Sequence, residues 1–505
     1  MRAPVGKGHF LAWVGWEFVT RLGCATAMVT PFLSGCVLDK EQASFAVPEP
    51  PATFRAERSR ATAPLGNWPK LFGSAELASL MERSRTDNLD VAAAYARITQ
   101  AIGLARSTAS ALYPQLDGIE NAQRTVNAGT ERSEKPPFIT THSTNYSLGL
   151  SASYIVDLFG RNRALAEAAD LNAIASRYDR DVVVVATLAS VANTWFQLVA
   201  SQDRLRLARE DIRVAQNVLD AINARVAVGT ATALDQAQQE SVVATQRASV
   251  PPLEQVVQQN RNLLAVLVGR TPERMTVRGG SLNSLKIPQP RVGLPSQLLL
   301  RRPDVASAET HLAAEHASVT AARLAFFPTI NLSASLTSSS LVLANLFNPN
   351  SIAASLVEGL TAPIFTGFNL EGQLEQTRGR RTELLENYRK AILTAFSDVE
   401  NALIASQQTA NHERLQRIAV DAARRAYQIT QQRLREGTID VVTLLNTQTT
   451  LFQAEDQLIQ VRLQRFLAAG QLYQALGGGF TLEDSPGLTI VADPSVPERI
   501  VEETR

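Results

Sequence analysis

RNRALAEAADLNAIASRYDRDVVVVATLASVANTWFQLVASQDRLRLAREDIRVAQNVLDAINARVAV, residues 161–228, contains no glycine and no proline. As one helix rising 1.5 Å per residue it runs for roughly 100 Å, far beyond an ordinary helix of about 11–12 residues. A pattern this long calls for a coiled coil, a membrane span or a helical array. Charges at Asp170, Arg177, Asp179, Arg180 and Asp181, and again at Arg204, Arg206, Arg209, Glu210, Asp211 and Arg213, exclude the span. The helix therefore travels through water, and the rest of the chain must supply its partners.

A twin lies further on. From Arg380 to Glu436 there is again no glycine or proline, and Leu385, Tyr388, Ile392, Ala395, Val399 and Ala402 recur at gaps of three and four, a packing seam. The landmarks around the two helices repeat as well. Asp90-Val91 returns as Asp304-Val305 and Tyr113-Pro114 as Phe327-Pro328, both at an offset of 214. Leu158-Phe159-Gly160 returns as Ile364-Phe365-Thr366-Gly367, with one extra residue before its glycine. Arg225-Val226 with Gly229-Thr230 matches Arg433-Leu434 with Gly437-Thr438, and Leu267-Val268-Gly269 matches Ala475-Leu476-Gly477, all at 208. Chance likeness does not hold register over such distances, so the chain is internally duplicated. The offset changes across Asp117 to Tyr146, which is longer than its counterpart and contains Pro136-Pro137, as a longer surface loop would.

Each repeat reads as a helix, two strand-like segments, a very long helix, a Gly-Thr turn and a returning helix. The first helix is expected from Glu76 to Leu112, where Tyr113-Pro114 stops it. The returns are expected at Ala231 to Val250 and Ile439 to Ala469. Pro251-Pro252 interrupts the first return and starts a new half-helix; nothing comparable breaks the second. Strands follow from period two: Tyr146, Leu148, Leu150, Ala152, Tyr154 and Val156 alternate with Ser147, Gly149, Ser151 and Ser153, and Ile330, Leu332, Ala334 and Leu336 alternate with Asn331, Ser333, Ser335 and Thr337. Leu116 to Val126 alternates poorly, and Glu358 falls on the apolar side of Ile352 to Ala362. Such strands suit a membrane barrel with lipid outside and water inside; a half-buried sheet in a soluble protein is the other reading. Four strands cannot close a barrel, and an open edge in lipid leaves backbone groups unsatisfied, so membrane strands here require oligomerisation.

Composition narrows the function. Lys plus Arg (49) balances Asp plus Glu (48), so no basic surface argues for nucleic acid. Both cysteines precede residue 37, and the five histidines are scattered, leaving no thiol or histidine metal site. His412-Glu413 is followed by Gln416 where a zincin helix needs its second histidine. No phosphate loop or nucleophile elbow occurs; nothing points to an enzyme or to a cofactor.

At the start, Arg2, Lys7 and Arg21 precede an apolar segment, Cys24 to Leu33, that reads as a secretory signal. It ends in Leu33-Ser34-Gly35-Cys36, which resembles a bacterial lipobox with Cys36 as the acylated residue. An ordinary signal with an incidental cysteine is the alternative. Several acyl chains, each burying methylenes at ~0.8 kcal/mol apiece, make a firm anchor, and Val37 rather than an aspartate after the cysteine favours the outer membrane. The expected organisation is a signal peptide (1–35), a proline-rich tether (36–75), a first repeat (76–270), a linker (271–295), a second repeat (296–478) and a tail (479–505).

Several segments together resemble one family, the TolC-like outer membrane factors, in the lipoprotein branch of RND-type efflux channels. They are Tyr154 to Arg163 with Asp157-Leu158-Phe159-Gly160-Arg161, and Gly293-Leu294-Pro295-Ser296 with Arg301-Arg302-Pro303-Asp304. Ala325-Phe326-Phe327-Pro328-Thr329, Pro363-Ile364-Phe365 with Gly367, and Phe396 to Leu403 with Asp398-Val399-Glu400 complete the set. The likeness covers roughly 67–478. It implies a mainly α chain with a small membrane β part: a homotrimer pooling four strands per protomer into a twelve-stranded outer-membrane barrel, continued by an α-helical tunnel in the periplasm. The implied role is a passive exit duct for small molecules, fed by an inner-membrane pump, RND type, through a periplasmic membrane-fusion adaptor. A type I protein-secretion duct and a lipid-tethered periplasmic coiled-coil scaffold are the competing roles.

The resemblance also assigns residues. Adaptor docking falls on Val228, Gly229, Thr230, Gly437 and Thr438, although these are also simply turn residues. Asp235 matches an acidic gate position, and Thr443, Leu444, Leu445 and Asn446 occupy the segment that lines the family's constriction. Where relatives place an aspartate this chain has Asn446, so the ring is amide and the expected cation selectivity weak. Leu434 and Ile439 stand where some relatives carry a tyrosine and an arginine that tie helices together, which shifts closure toward apolar contact.

Overall fold

The computed structural model describes residues 48, 50–51, 53–55, 68–127, 141–288 and 295–480. The signal, Cys36, Pro136-Pro137, Gly293-Leu294 and the tail beyond 480 lie outside the described residues.

Repeat 1 contains α1 (Ala75–Asp87), α2 (Leu89–Ala109), β1 (Gln115–Asn127), β2 (Thr141–Val156), α3 (Arg161–Ala227), α4 (Ala233–Ala248) and α5 (Val250–Leu267). Repeat 2 contains α6 (Pro303–Leu324), β3 (Thr329–Ser340), β4 (Ile352–Thr361), α7 (Asn369–Arg435) and α8 (Val441–Ala475). The long helices α3 and α7 have 67 residues each, roughly 100 Å. α7 starts eleven residues before the expected Arg380 and runs through Gly372 and Gly379; an interior glycine costs a helix about 1 kcal/mol, too little to break one this long. As Pro251-Pro252 dictates, the first return is split into α4 and α5, with the prolines in the opening turn of α5. The second return is the single helix α8, which continues past Ala469 to Ala475.

Two expectations need correction. The helix read as continuous from Glu76 to Leu112 breaks at Asn88, whose Oδ1 accepts the Asp90 and Val91 amides (2.8 and 3.0 Å) while its Nδ2 donates to the Leu267 carbonyl (2.8 Å). An asparagine inside an apolar period is thus a cap and a tie to the far end of the repeat. The tether of 36–75 also contributes to the interior: Phe54, Trp68 and Phe72 are buried, and Trp68 stacks on Tyr473 at 5.2 Å between centroids. Aromatic side chains of this size gain too much from burial to stay in solvent.

The main core sits midway along the long helices, where Trp195, Phe196, Leu198 and Val199 of α3 meet Ile392, Ala395 and Val399 of α7 and Phe466 and Tyr473 of α8. The most apolar window of α3, which by composition alone could cross a membrane, is 56% buried inside the protein. Smaller clusters lie nearer the turns: Val218, Ile222, Tyr427, Leu444 and Leu451 in one, Ala215, Leu219, Val243 and Phe452 in another.

The four strands form one antiparallel sheet in the order β1-β2-β3-β4, including the weakly alternating β1. Register places Tyr154 opposite Leu332 and Leu332 opposite Glu358, Leu150 opposite Leu336, and Ala334 opposite Leu356. One face is therefore apolar, carrying Leu148, Leu150, Leu336, Leu356 and Leu360, all exposed. Ser151, Ser333, Ser335 and Ser355 lie on the other, where the Ser335 and Ser355 hydroxyls hydrogen-bond across strands at 2.8 Å. Glu358 falls on the apolar face, as its position in the alternation predicts. Among the described residues β1 and β4 each pair on one side only, so within one chain the described sheet is open.

Sequence segments that seemed unrelated meet in space. The Asp157 carboxylate accepts the amides of Asn162 and Arg163 at the start of α3 (3.1 and 3.0 Å), and Phe159 packs on Phe327 at 4.8 Å. Arg302, nearly buried, clamps Asp304 (2.6 Å), Asp398 (3.0 Å) and the Ala475 carbonyl (3.4 Å), tying the start of α6 to α7 and to the end of α8.

Candidate functional site

Both long helices end in the same turn. In the first, Gly229 N–H donates to the Val226 carbonyl (3.0 Å) and Thr230 N–H to that of Arg225 (2.8 Å). In the second, Gly437 donates to Leu434 (3.1 Å) and Thr438 to Arg433 (3.0 Å). These are Schellman caps, which need a left-handed residue after the helix; Gly229 and Gly437 take it at φ 74° and 73°. The threonine hydroxyls donate to the same Arg225 and Arg433 carbonyls at 3.1 Å. Val228 is 73% exposed. The turns lie at one end of the helices, because Val226 and Leu434 pack on the same apolar cluster and Arg225 Nη1 donates to the Leu434 carbonyl at 3.4 Å.

The returning helices start with one device written in two orders. Thr232 caps α4: its hydroxyl oxygen accepts the Asp235 amide (3.2 Å), and the Asp235 carboxylate accepts the Thr232 amide (2.8 Å). At offset 208, Asp440 caps α8, accepting the Thr443 amide (2.9 Å) and its hydroxyl. The bonds from the Thr443 hydroxyl and amide hold the Asp440 carboxyl below its ordinary range. Acid and hydroxyl have exchanged places between the repeats. Asp440 escaped the sequence reading, although Asp-x-x-Thr two residues after Gly-Thr was a legible cap signal.

Thr443 and Asn446 are exposed, whereas Leu444 and Leu445 point into the apolar cluster with Val218, Ile222 and Tyr427. Of residues 443–446, then, only the polar pair is exposed in one chain. Leu434 and Ile439 are half-buried. Just inside the turns, the Tyr427 hydroxyl and both amide atoms of the fully buried Gln448 have no hydrogen-bond partner among the described residues. Each such group costs roughly 1–3 kcal/mol. Separating the helices here would hydrate those groups.

An open sheet with one apolar face, standing on two helices of roughly 100 Å that end in matching glycine turns, defines one chain's share of an outer-membrane channel-tunnel. The sequence matches the outer membrane efflux protein family over residues 80–270 and 294–478, and the chain belongs to that family. It is 39% identical over 428 residues to the pyoverdine export outer membrane protein OpmQ of Pseudomonas aeruginosa, covering 83% of this chain and 89% of that one. It is 29% identical over 462 residues to the cation efflux system protein CusC of Escherichia coli O6:H1, covering 89% and 96%. The fold superposes on the open state of the Neisseria gonorrhoeae MtrE outer membrane channel with a TM-score of 0.78 at 27% identity, covering 86% and 98%. The protein is thus an outer-membrane efflux channel, its helices forming a periplasmic tunnel, in a family of channels rather than enzymes. The soluble scaffold reading is set aside.

Proposed function

We propose that three copies close a twelve-stranded barrel and form the exit duct of a tripartite pump. A periplasmic adaptor docks at Val228, Gly229, Thr230, Gly437 and Thr438, and an RND-type inner-membrane pump supplies the energy. The observation that carries this is the open four-stranded sheet: its two edge strands have unpaired backbone groups, which lipid does not tolerate, and closure with further copies satisfies them. Cys36 carries the lipid anchor in this reading. That OpmQ exports pyoverdine favours small-molecule cargo; with four methionines, scattered, the chain offers no methionine track for metal ions.

The gate is formed by Asp235, Leu434, Ile439, Thr443 and Asn446 around the threefold axis. With an amide ring rather than a carboxylate ring at Asn446, the passage attracts cations only weakly. Planar-bilayer recordings of the purified protein test this. The expected result is a weak cation preference that Asn446→Asp strengthens; strong cation selectivity abolished by Asn446→Ala would overturn the amide-ring gate.

A further inference from the structure

Arg206, Arg209, Arg261 and Arg278 line a single cleft of about 650 Å³ between α3, α5 and the loop at 276–280. In a chain whose charges otherwise cancel, this is a local excess. Among the lining residues the one carboxylate is Glu254, 2.8 Å from Arg209, in a pair at least half exposed. Arg206 is engaged by Asp203 and by the Gly280 carbonyl at 3.0 Å. Among the described residues Arg261 Nε is buried without a hydrogen-bond partner, and the Arg278 guanidinium forms no ion pair, although its backbone amide donates to the Glu76 carboxylate at 2.8 Å. A buried guanidinium nitrogen left in this state is costly unless something arrives to fill it.

The second repeat shows what such a cluster takes. At offset 208, Leu205 aligns with Glu413, Arg209 with Arg417, Glu254 with Arg462 and Val257 with Arg465. Glu413, 1% exposed, is bonded by Arg417 at 2.5 Å and Arg465 at 2.8 Å, with Arg462 at 3.5 Å. The same level of the fold thus captures a carboxylate among arginines in repeat 2. In repeat 1 a leucine replaces that carboxylate, Arg209 alone of the three arginines is kept, and it faces a cleft together with Arg206, Arg261 and Arg278.

We propose that this cleft binds the carboxylate side chains of an acidic polypeptide segment of a partner protein. The arginine fork matches carboxylates bidentately. The lining residues span seven positions of α3 and of α5, ~10 Å along each helix, more than a single small anion bridges. Leu205 and Val257 give the floor an apolar strip on which side-chain methylenes can lie.

The test uses full-length protein purified in detergent and a fluorescent oligoglutamate peptide, read by anisotropy. Saturable binding is expected. It should weaken by about tenfold or more in Arg261→Gln combined with Arg278→Gln, tighten in Glu254→Gln, where a competing carboxylate is removed, and stay unchanged in the control Arg425→Gln. Inorganic phosphate at equal charge should fail to displace the peptide. Absence of saturable binding, equal loss in the control, indifference to the double substitution, or full displacement by inorganic phosphate would each overturn the proposal.

Discussion

At the turn end the two repeats are nearly interchangeable. Gly229 and Gly437 share a backbone conformation, the caps share their hydrogen bonds, and even the exchange of Thr232 and Asp235 for Asp440 and Thr443 preserves the helix start. Midway along the long helices the repeats part company. The first return is broken at Pro251-Pro252 and the second is straight; Glu413 is clasped by three arginines, while its counterpart is Leu205. Asp211, whose counterpart is Ala419, is buried beside acids. Duplication is conserved where both helix pairs must end in the same tip, and relaxed where each meets different neighbours.

The largest test of that contrast makes repeat 2 resemble repeat 1. In Glu413→Leu, Arg417, Arg462 and Arg465 lose their shared carboxylate, and destabilisation of ~5 kcal/mol is expected, the upper end for a buried charge stripped of its partner. Denaturant unfolding in detergent reads it; a loss under ~1 kcal/mol would mean the clasp is incidental.

Next is the pH response. Burial first, then the charges of Glu455, Asp456 and Glu210, push Asp211 up to about 7 from 3.8. Arg204 pairs with Asp456 (2.6 Å) and Arg424 with Glu455 (2.5 Å), so the cations nearby are already engaged. A carboxyl that binds its proton more tightly folded than unfolded contributes stability that is complete below 3.8 and lost as pH rises through about 7. Asp211→Asn should remove that loss, on the order of 4 kcal/mol, and flatten the melting temperature between about pH 4 and 7. Glu413 behaves oppositely: burial raises it, but the bonds from Arg465 and Arg417 and the charge of Arg462 outweigh burial and leave it lowered. Its contribution is present above the ordinary range and lost in acid. If Asp211→Asn leaves the pH profile unchanged, the acidic seam does not govern it.

Smaller effects check the likeness of the tips. Gly229→Ala and Gly437→Ala should each cost about 1–2 kcal/mol through the left-handed backbone alone, since a Cβ at either meets nothing within 4 Å. Unequal costs would break the equivalence of the turns. Thr232→Asp combined with Asp235→Thr writes the second repeat's cap into the first and should change stability by less than ~0.5 kcal/mol.

Much of this architecture was legible in the sequence because it rests on periodicity and on glycine or proline. The absence of breakers from Arg161 to Val228, the alternation in Tyr146 to Val156 and the split at Pro251-Pro252 all have one physical reading. Pairing partners were not legible. Asn88 sits in an apolar period and declares itself only by reaching the Leu267 carbonyl, 179 residues away. Arg302 becomes a clamp only when Asp398 arrives from another helix. In the candidate site the glycine turns could be read locally, but the inward packing of Leu444 and Leu445 could not, because a helix facing partners on several sides has no single polar face.

In the proposed trimer each chain supplies one third of a closed membrane barrel. Native mass spectrometry of the full-length protein released from detergent micelles tests it most directly. A trimer near three times 54.8 kDa, less whatever processing removes, is expected, stable until the barrel is denatured. A protein that stays monomeric in detergent while still conducting ions in planar bilayers would contradict it.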